Sequence, residues 1–192
     1  MSVPALPRCR WCNPANPVYV AYHDHEWGVP VYDDHRLFEM LILESFQAGL
    51  SWECVLNKRE HFRRAFDGFD IMTVSRYDAE KCEALACDPG IIRNRRKIHA
   101  AVVNARIFLE IQAEYGSFSA YLRHFSGSDV IFESDKTSSP LSDRISADLR
   151  RRGMKFVGTT IIYAYLQAIG IVNSHEEGCF LYRKPAATPS QP

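Results

Sequence analysis

The sequence predicts an all-α protein, and three observations carry that expectation. Apolar residues recur at helical spacing in one segment after another. Ser, Thr or Asp stand where such segments begin, and Gly stands where they end. No run of useful length alternates apolar with polar residues as a half-buried strand would. The chain of 192 residues is 46% hydrophobic, enough for a sizeable core in one domain or two tightly packed lobes.

The elements follow in order. Residues 1–8 and 184–192 are rich in Pro, Ala and Ser and read as frayed tails, leaving 9–183 as a single helical unit. Asp33 or Asp34 caps a helix carrying Leu37, Phe38, Leu41 and Phe46, which Gly49 ends. Ser51 starts the next, with Trp52, Val55 and Leu56. Further helices fit residues 79–86, 96–115 and 118–125. The polar stretch 127–140, with an apolar patch only at Val130, Ile131 and Phe132, reads as a loop. Ser142 caps a helix that runs to Arg152 and ends at Gly153. Thr159 or Thr160 caps the last one, over 161–169, which Gly170 ends.

Formal charge is zero, from 23 basic and 23 acidic residues, so net charge advertises no polyanion partner. Distribution says more. Residues 89–109 hold Arg93, Arg95, Arg96, Lys97 and Arg106 and no acid, and a second cluster is Arg150, Arg151, Arg152 and Lys155. Two such clusters suit a localised phosphate-facing surface, although either alone is more often a solvated helix face. No apolar run resembles a signal peptide or spans a bilayer, which points to the cytoplasm and away from a membrane. Six cysteines in that compartment are expected reduced, as ligands or core residues rather than disulfides. Nothing in the sequence asks for more than a monomer.

Between the last two helices, residues 152–160 read Arg-Gly-Met-Lys-Phe-Val-Gly-Thr-Thr. Two glycines bracket a short hairpin that feeds a helix N-terminus, where free N–H groups and the helix dipole favour an anion. Gly158 leaves the backbone open to a phosphate, and Lys155 adds charge. An ordinary helix–helix connection is the commoner use of such a turn. This hairpin and the following helix, through Gly170, resemble the helix-hairpin-helix element of base-excision DNA glycosylases. More narrowly, the chain resembles the 3-methyladenine DNA glycosylase I family. The matching segments are Cys9-Arg-Trp11, Tyr19-Val-Ala-Tyr22-His23-Asp-His-Glu-Trp27-Gly28-Val-Pro30, Leu37-Phe-Glu-Met40, Gln47-Ala-Gly-Leu-Ser-Trp52, Gly90-Ile-Ile-Arg93, Lys97-Ile98, Lys155-Phe-Val-Gly-Thr-Thr160 and His175 through Cys179. They run in the expected order over most of the chain, which is far more specific than any one motif.

The resemblance implies a helix-hairpin-helix glycosylase fold whose N- and C-terminal segments are joined by one structural zinc ion, bound by Cys9, His23, His175 and Cys179. On residue chemistry, His175-x3-Cys179 places two ligand types within reach of one metal, and Cys9 with His23 completes a closed Cys2His2 set. Cys12 lies outside the family pattern and makes Cys9-x2-Cys12, so a set of Cys9, Cys12, His175 and Cys179 stays open.

The implied activity is monofunctional hydrolysis of the N-glycosidic bond of 3-methyladenine in alkylated double-stranded DNA. That base is cationic, so a pocket for it needs aromatic faces and an acceptor for its exocyclic amine, and it must receive a base flipped from the duplex. By resemblance Glu44 is the base-contacting acid, Tyr22 and Trp52 are its stacking partners, and Trp11 and Tyr19 are further pocket walls. Any single aromatic is as readily explained by core packing. Glu44 is more telling, because it falls in the largely apolar run 41–46, where a charge costs energy unless paired or used. Leu50 beside Gly49 suits an apolar wedge for the DNA stack, and Lys155, Gly158 and Thr159 are the expected backbone contacts. Most helix-hairpin-helix glycosylases carry an Asp shortly after the hairpin helix. Here residues 170–175 read Gly-Ile-Val-Asn-Ser-His, with neither Asp nor a Lys nucleophile, so a narrow glycosylase without strand cleavage is expected. A non-catalytic zinc-stapled DNA-binding module and a metal-dependent hydrolase of small molecules are the competing readings. Whether 3-methylguanine is also a substrate is open.

Overall fold

The computed structural model describes residues 6–183, and within them the protein is helical apart from one pair of two-residue strands. Asn16 caps α1 (Pro17–His25), its side chain accepting from the Val18 and Tyr19 N–H groups, with Pro17 preset for the first turn. Asp33 caps α2 (Asp34–Gln47). Every residue of α2 from Leu37 to Phe46 is buried, so this helix is the axis of the molecule, as expected of a segment apolar on nearly all faces. Ser51 caps α3 (Trp52–Leu56). The short helices α4 (Arg59–Ala65) and α5 (Ile71–Ser75) flank a 3-10 turn over Asp67–Phe69, and α6 (Ala79–Cys87) follows. The long α7 (Arg95–Tyr115) and α8 (Phe118–Ser126) pack on α2, as do α3 and α10 (Thr159–Ala168), while α9 (Pro140–Arg152) packs on α8 and α10.

Helices α2, α3, α6, α7, α8, α9 and α10 stand where the sequence predicts them, within one or two residues except at the start of α9. The caps of the last two differ. Ser139 caps α9, in a reciprocal box with Ser142, because Pro140 already supplies the first turn. Thr159 is the first residue of α10, and Gly158 is its cap, without a side-chain cap bond. Helices α1, α4 and α5 were not predicted; each is nine residues or shorter and too brief to show a clear period. The stretch predicted as a loop carries β1 (Ile131–Phe132), which pairs in parallel with β2 (Val172–Asn173) after α10. The apolar patch is thus a docking point. It ties the loop beside the C-terminal segment, and the Ile131 N–H donates to the Ile171 carbonyl at 2.9 Å.

Of the tails, residues 1–5 and 184–192 lie outside the described residues. Arg8, expected to fray, is held instead, its guanidinium donating to both Asp24 oxygens at 2.8 and 2.6 Å. Gly170 (φ +72°) is required by packing as well as by its backbone angle. A Cβ there would fall 2.3–2.5 Å from the backbone of Val29 and Pro30, which crosses the end of α10. That crossing fixes α1 and its following turn against the C-terminal segment.

Candidate functional site

A cavity of about 360 Å3 opens where the ends of the chain meet α2. Tyr19 and Tyr22, three apart on α1, present one face to it. Glu44 and Gln47 enter from the last turn of α2, Trp52 from the first residue of α3, and Trp11 and Trp27 from the segments flanking α1. All five residues expected in the pocket therefore line it. The Tyr22 and Trp52 rings lie 5.4 Å apart at 50° to each other. A flat ligand sandwiched between two rings needs about 7 Å between parallel planes, so these two form an open corner rather than a clamp.

Glu44 is 2% exposed, and its Oε2 has no hydrogen-bond partner; neither does the neighbouring Trp52 Nε1. Among the described residues no cation pairs with Glu44, and burial pushes its carboxyl up to about 8. At neutral pH burial thus favours the protonated form of this acid. With Ser174 Oγ, three polar atoms of residues that line one cavity lack a partner among the described residues, which marks a place built for a ligand.

Beside this cavity, ligand atoms of Cys9, His23, His175 and Cys179 lie within 4.8 Å of one another, and all four residues are buried. Cys9 Sγ is 3.5 Å from His175 Nδ1. Cys179 Sγ is 3.5 Å from His23 Nε2 and 3.6 Å from His175 Nδ1. Tetrahedral geometry with metal–sulfur and metal–nitrogen bonds of about 2.3 and 2.0–2.1 Å gives sulfur–nitrogen edges of about 3.6 Å, so the donor set fits a metal ion. His23 is oriented for that role: its Nδ1 donates to Asp24 at 2.8 Å, leaving the Nε2 lone pair toward the cluster. N–H groups of Glu176 and Leu181 point at the two sulfurs at 3.4 and 3.5 Å. Burial pushes the Cys9 thiol up to about 12 and the His175 imidazole down to about 4, so a cation bound here would have to displace the Cys9 proton and would meet a neutral His175. Cys12 is not part of the group; its thiol turns to the Tyr19 carbonyl 3.9 Å away. Cluster and cavity share a wall, since Trp11 lies 5.2 Å from the His23 ring and 5.3 Å from Tyr19, and Trp27 lies 4.7 Å from His175.

The residues expected to face DNA fall on either side of the α7 N-terminus. Gly49 (φ +82°) turns the chain after α2 and leaves Leu50 42% exposed. Lys155 is exposed, but its backbone N–H and carbonyl are both taken by the amide of buried Asn104, at 2.8 and 2.9 Å. The Thr159 hydroxyl donates to Asp143 at 2.6 Å and also bonds Ser142, so it braces α9 and leaves only its backbone N–H to a ligand. At Gly158 the φ of −63° suits any residue, and a Cβ would meet nothing within 4 Å. Of the first basic cluster, Arg95 pairs with Glu83, Arg106 donates to the Ser75 carbonyl and Lys97 is buried, which leaves Arg93 and Arg96 outward. In the second, Arg151 and Arg152 are paired with Asp148 and Glu114.

Seven further cavity residues were not anticipated: Asp135, Lys136, Thr137, Ala164, Gln167, Ser174 and Glu176. The first three come from the polar loop, whose composition says surface and nothing of what it borders. Only the apolar patch at β1 could have signalled that it docks there.

Comparison with known proteins agrees with this geometry. A family model described as methyladenine glycosylase matches residues 11–182. The DNA-3-methyladenine glycosylase 1 of Escherichia coli (strain K12) is 44% identical over 92% of this chain and 97% of its own. The DNA-3-methyladenine glycosylase of Haemophilus influenzae is 37% identical over 90% of this chain and 96% of its own. A solved structure of 3-methyladenine DNA glycosylase I superposes with a TM-score of 0.88 at 43% identity, covering 92% of this chain and all of the other. The Staphylococcus aureus 3-methyladenine DNA glycosylase I, solved to show the basis of 3-methyladenine recognition, superposes with a TM-score of 0.85 at 34% identity, covering 90% of this chain and 94% of that one. Identity at this level over nearly the whole of both chains, on the same fold, makes the protein a glycosylase enzyme. The chain belongs to the methyladenine glycosylase family.

Proposed function

We propose that this protein excises 3-methyladenine from alkylated double-stranded DNA as a monofunctional glycosylase. The observation that carries the reading is the partnerless Glu44 carboxyl in an aromatic-walled cavity of a size suited to a small ligand. A methylated base flipped into the cavity brings a positive charge and an exocyclic amine. Its charge favours the ionised form of Glu44, which gives up its proton to solvent, and the resulting carboxylate accepts from the amine while the ring lies on the Tyr22–Trp52 corner, bounded by Trp11 and Tyr19. An uncharged adenine brings no such cation, and ionising Glu44 beside it stays costly. The pocket thus discriminates by charge, and the weakened bond of the cationic adduct does the rest.

Leu50, presented by Gly49, is the wedge that fills the vacated stack. The bare N-terminus of α10 after Gly158, a helix-hairpin-helix element in this reading, takes a phosphate, with Lys155, Arg93 and Arg96 around it. Lys136 is the one amine among the described residues that line the cavity, and it is ion-paired with Glu133 at 2.5 Å, which supports base release without strand cleavage. The Cys9–His23–His175–Cys179 set holds a structural zinc ion, closed by four protein ligands, which clips the chain ends together and supplies no open position for hydrolysis.

Incubation with methylated duplex DNA, followed by chromatography of the released bases, tests the function. The expected products are 3-methyladenine and un-nicked abasic sites, with 7-methylguanine left in place. Ready release of 7-methylguanine, or nicking at the abasic sites, overturns the narrow monofunctional reading.

A further inference from the structure

Lys97 is 6% exposed, and nothing in the proposed chemistry calls for a buried ammonium there. It stands in the first turn of α7, where the helix dipole disfavours a cation, so its own helix gives no reason for it. Burial pushes its amine down from the usual lysine value. What offsets these costs lies across the fold. The Nζ donates to the Phe46 carbonyl at 2.8 Å and to the Ala48 carbonyl at 2.6 Å, at the C-terminus of α2. That helix end has no cap N–H of its own; Ala48 leaves the helical conformation at ψ 111°. A cation is favourable at a helix C-terminus, and two carbonyls otherwise unpaired would be costly. Lys97 therefore replaces the missing C-cap.

The segment it fixes is short and consequential. Glu44 sits on the last turn before these carbonyls, Gly49 and Leu50 follow them directly, and Ser51 then caps the helix that begins with Trp52. The Phe156 ring of the hairpin lies 5.8 Å from the same Nζ. We propose that Lys97 is the positioning residue for base eversion, holding the 48–51 loop so that Leu50 reaches the DNA stack while the hairpin holds the backbone. This rests on the reading of Leu50 as the wedge, and the test separates the two.

Single-turnover excision is measured for the wild type, Lys97→Met, Lys97→Arg, Leu50→Ala and the Lys97→Met/Leu50→Ala double variant. Each acts on fully paired methylated duplex and on the same strand annealed opposite a strand without bases at those positions, where the stack is already broken. Affinity for free 3-methyladenine, read by tryptophan fluorescence, monitors the pocket. Lys97→Met is expected to lose about tenfold on the paired duplex, the scale of one charge-assisted hydrogen bond. It should change less than about twofold on the unpaired substrate and in free-base affinity, with Lys97→Arg largely restoring the loss. The double variant should fall no lower than Leu50→Ala, because both act on one step. Equal losses on both substrates and in free-base affinity, or losses that multiply in the double variant, overturn the role of Lys97 while leaving the wedge intact. A Leu50→Ala variant as active as the wild type on paired duplex removes the wedge itself. Should Lys97→Met not fold, Lys97→Gln reads the same ratios.

Discussion

Replacing Glu44 by Gln is expected to stabilise the protein and at the same time to weaken its grip on the damaged base. Burial raises the carboxyl from its usual 4.5 to about 8, with no neighbouring charge contributing. Between those values the native state keeps a proton that the unfolded chain releases, so wild-type stability falls as pH rises through this window. At pH 7 the cost is about 3 kcal/mol, from one pKa unit being worth about 1.4 kcal/mol. An amide has no proton to hold, but its buried NH2 inherits the lack of a partner and returns part of the gain, leaving roughly 1–3 kcal/mol. For a chain of this size that is a melting-temperature rise of about 2–10 °C at pH 7–8, shrinking toward zero near pH 5. Thermal melts of both proteins from pH 5 to 8.5 read it directly. In the same variant, excision should drop by about ten- to a hundredfold, the scale of a hydrogen bond to a charged group, and free 3-methyladenine should bind less tightly. A melting temperature that falls on substitution, or melting curves that run parallel across pH, would refute the picture of an unpaired buried acid. Equal free-base affinities would remove Glu44 from the site.

Two further outcomes follow from the geometry. One zinc per chain is expected by elemental analysis, lost in His23→Ala and retained in Cys12→Ala; the reverse pattern would restore the alternative ligand set, and chelation should lower the melting temperature, with activity falling only as the protein unfolds. Lys155→Ala should weaken binding to all duplexes alike and make the salt dependence shallower by about one phosphate contact, whereas an unchanged slope would assign the backbone contact to Arg93 and Arg96.

The long helices were legible because period, cap and stop agree in each: Asp33 or Asp34, the apolar residues Leu37, Phe38, Leu41 and Phe46, and Gly49 outline α2 in the sequence alone. Helices α1, α4 and α5 escaped because elements this short are held by tertiary contacts and caps such as Asn16, with little periodic signal of their own. The four metal-binding candidates and the pocket aromatics could be named from residue types joined to a resemblance, yet their meeting depends on 166 residues of separation between Cys9 and His175, which no local pattern encodes. Lys97 shows the opposite failure. Read as one member of an exposed basic cluster, it is a buried tie, because composition counts charges without saying which of them the fold consumes. Asn104 is similar: a buried polar residue in mid-helix looks neutral in sequence, and it turns out to hold both backbone groups of Lys155.

The metal cluster and the cavity are best understood as one construction. Tyr22 and His23 are consecutive on α1, and on a helix consecutive side chains point about 100° apart, so one enters the cavity while the next enters the cluster. Trp11 and Trp27 stand between the two, each in contact with a histidine of the Cys/His cluster and each lining the cavity. Residues 6–16 form no helix, and the chain after β2 has no regular structure among the described residues, so these walls are held by individual ties such as Arg8 to Asp24 and the Phe180 N–H to the Pro7 carbonyl. An aromatic corner can select a flat cation only if its faces stay fixed while the base arrives, since each rotamer left free would dilute the pocket. A metal ion held by these four residues from both ends of the chain would add that rigidity. A metal with no part in the chemistry can in this way set the precision of the site that performs it.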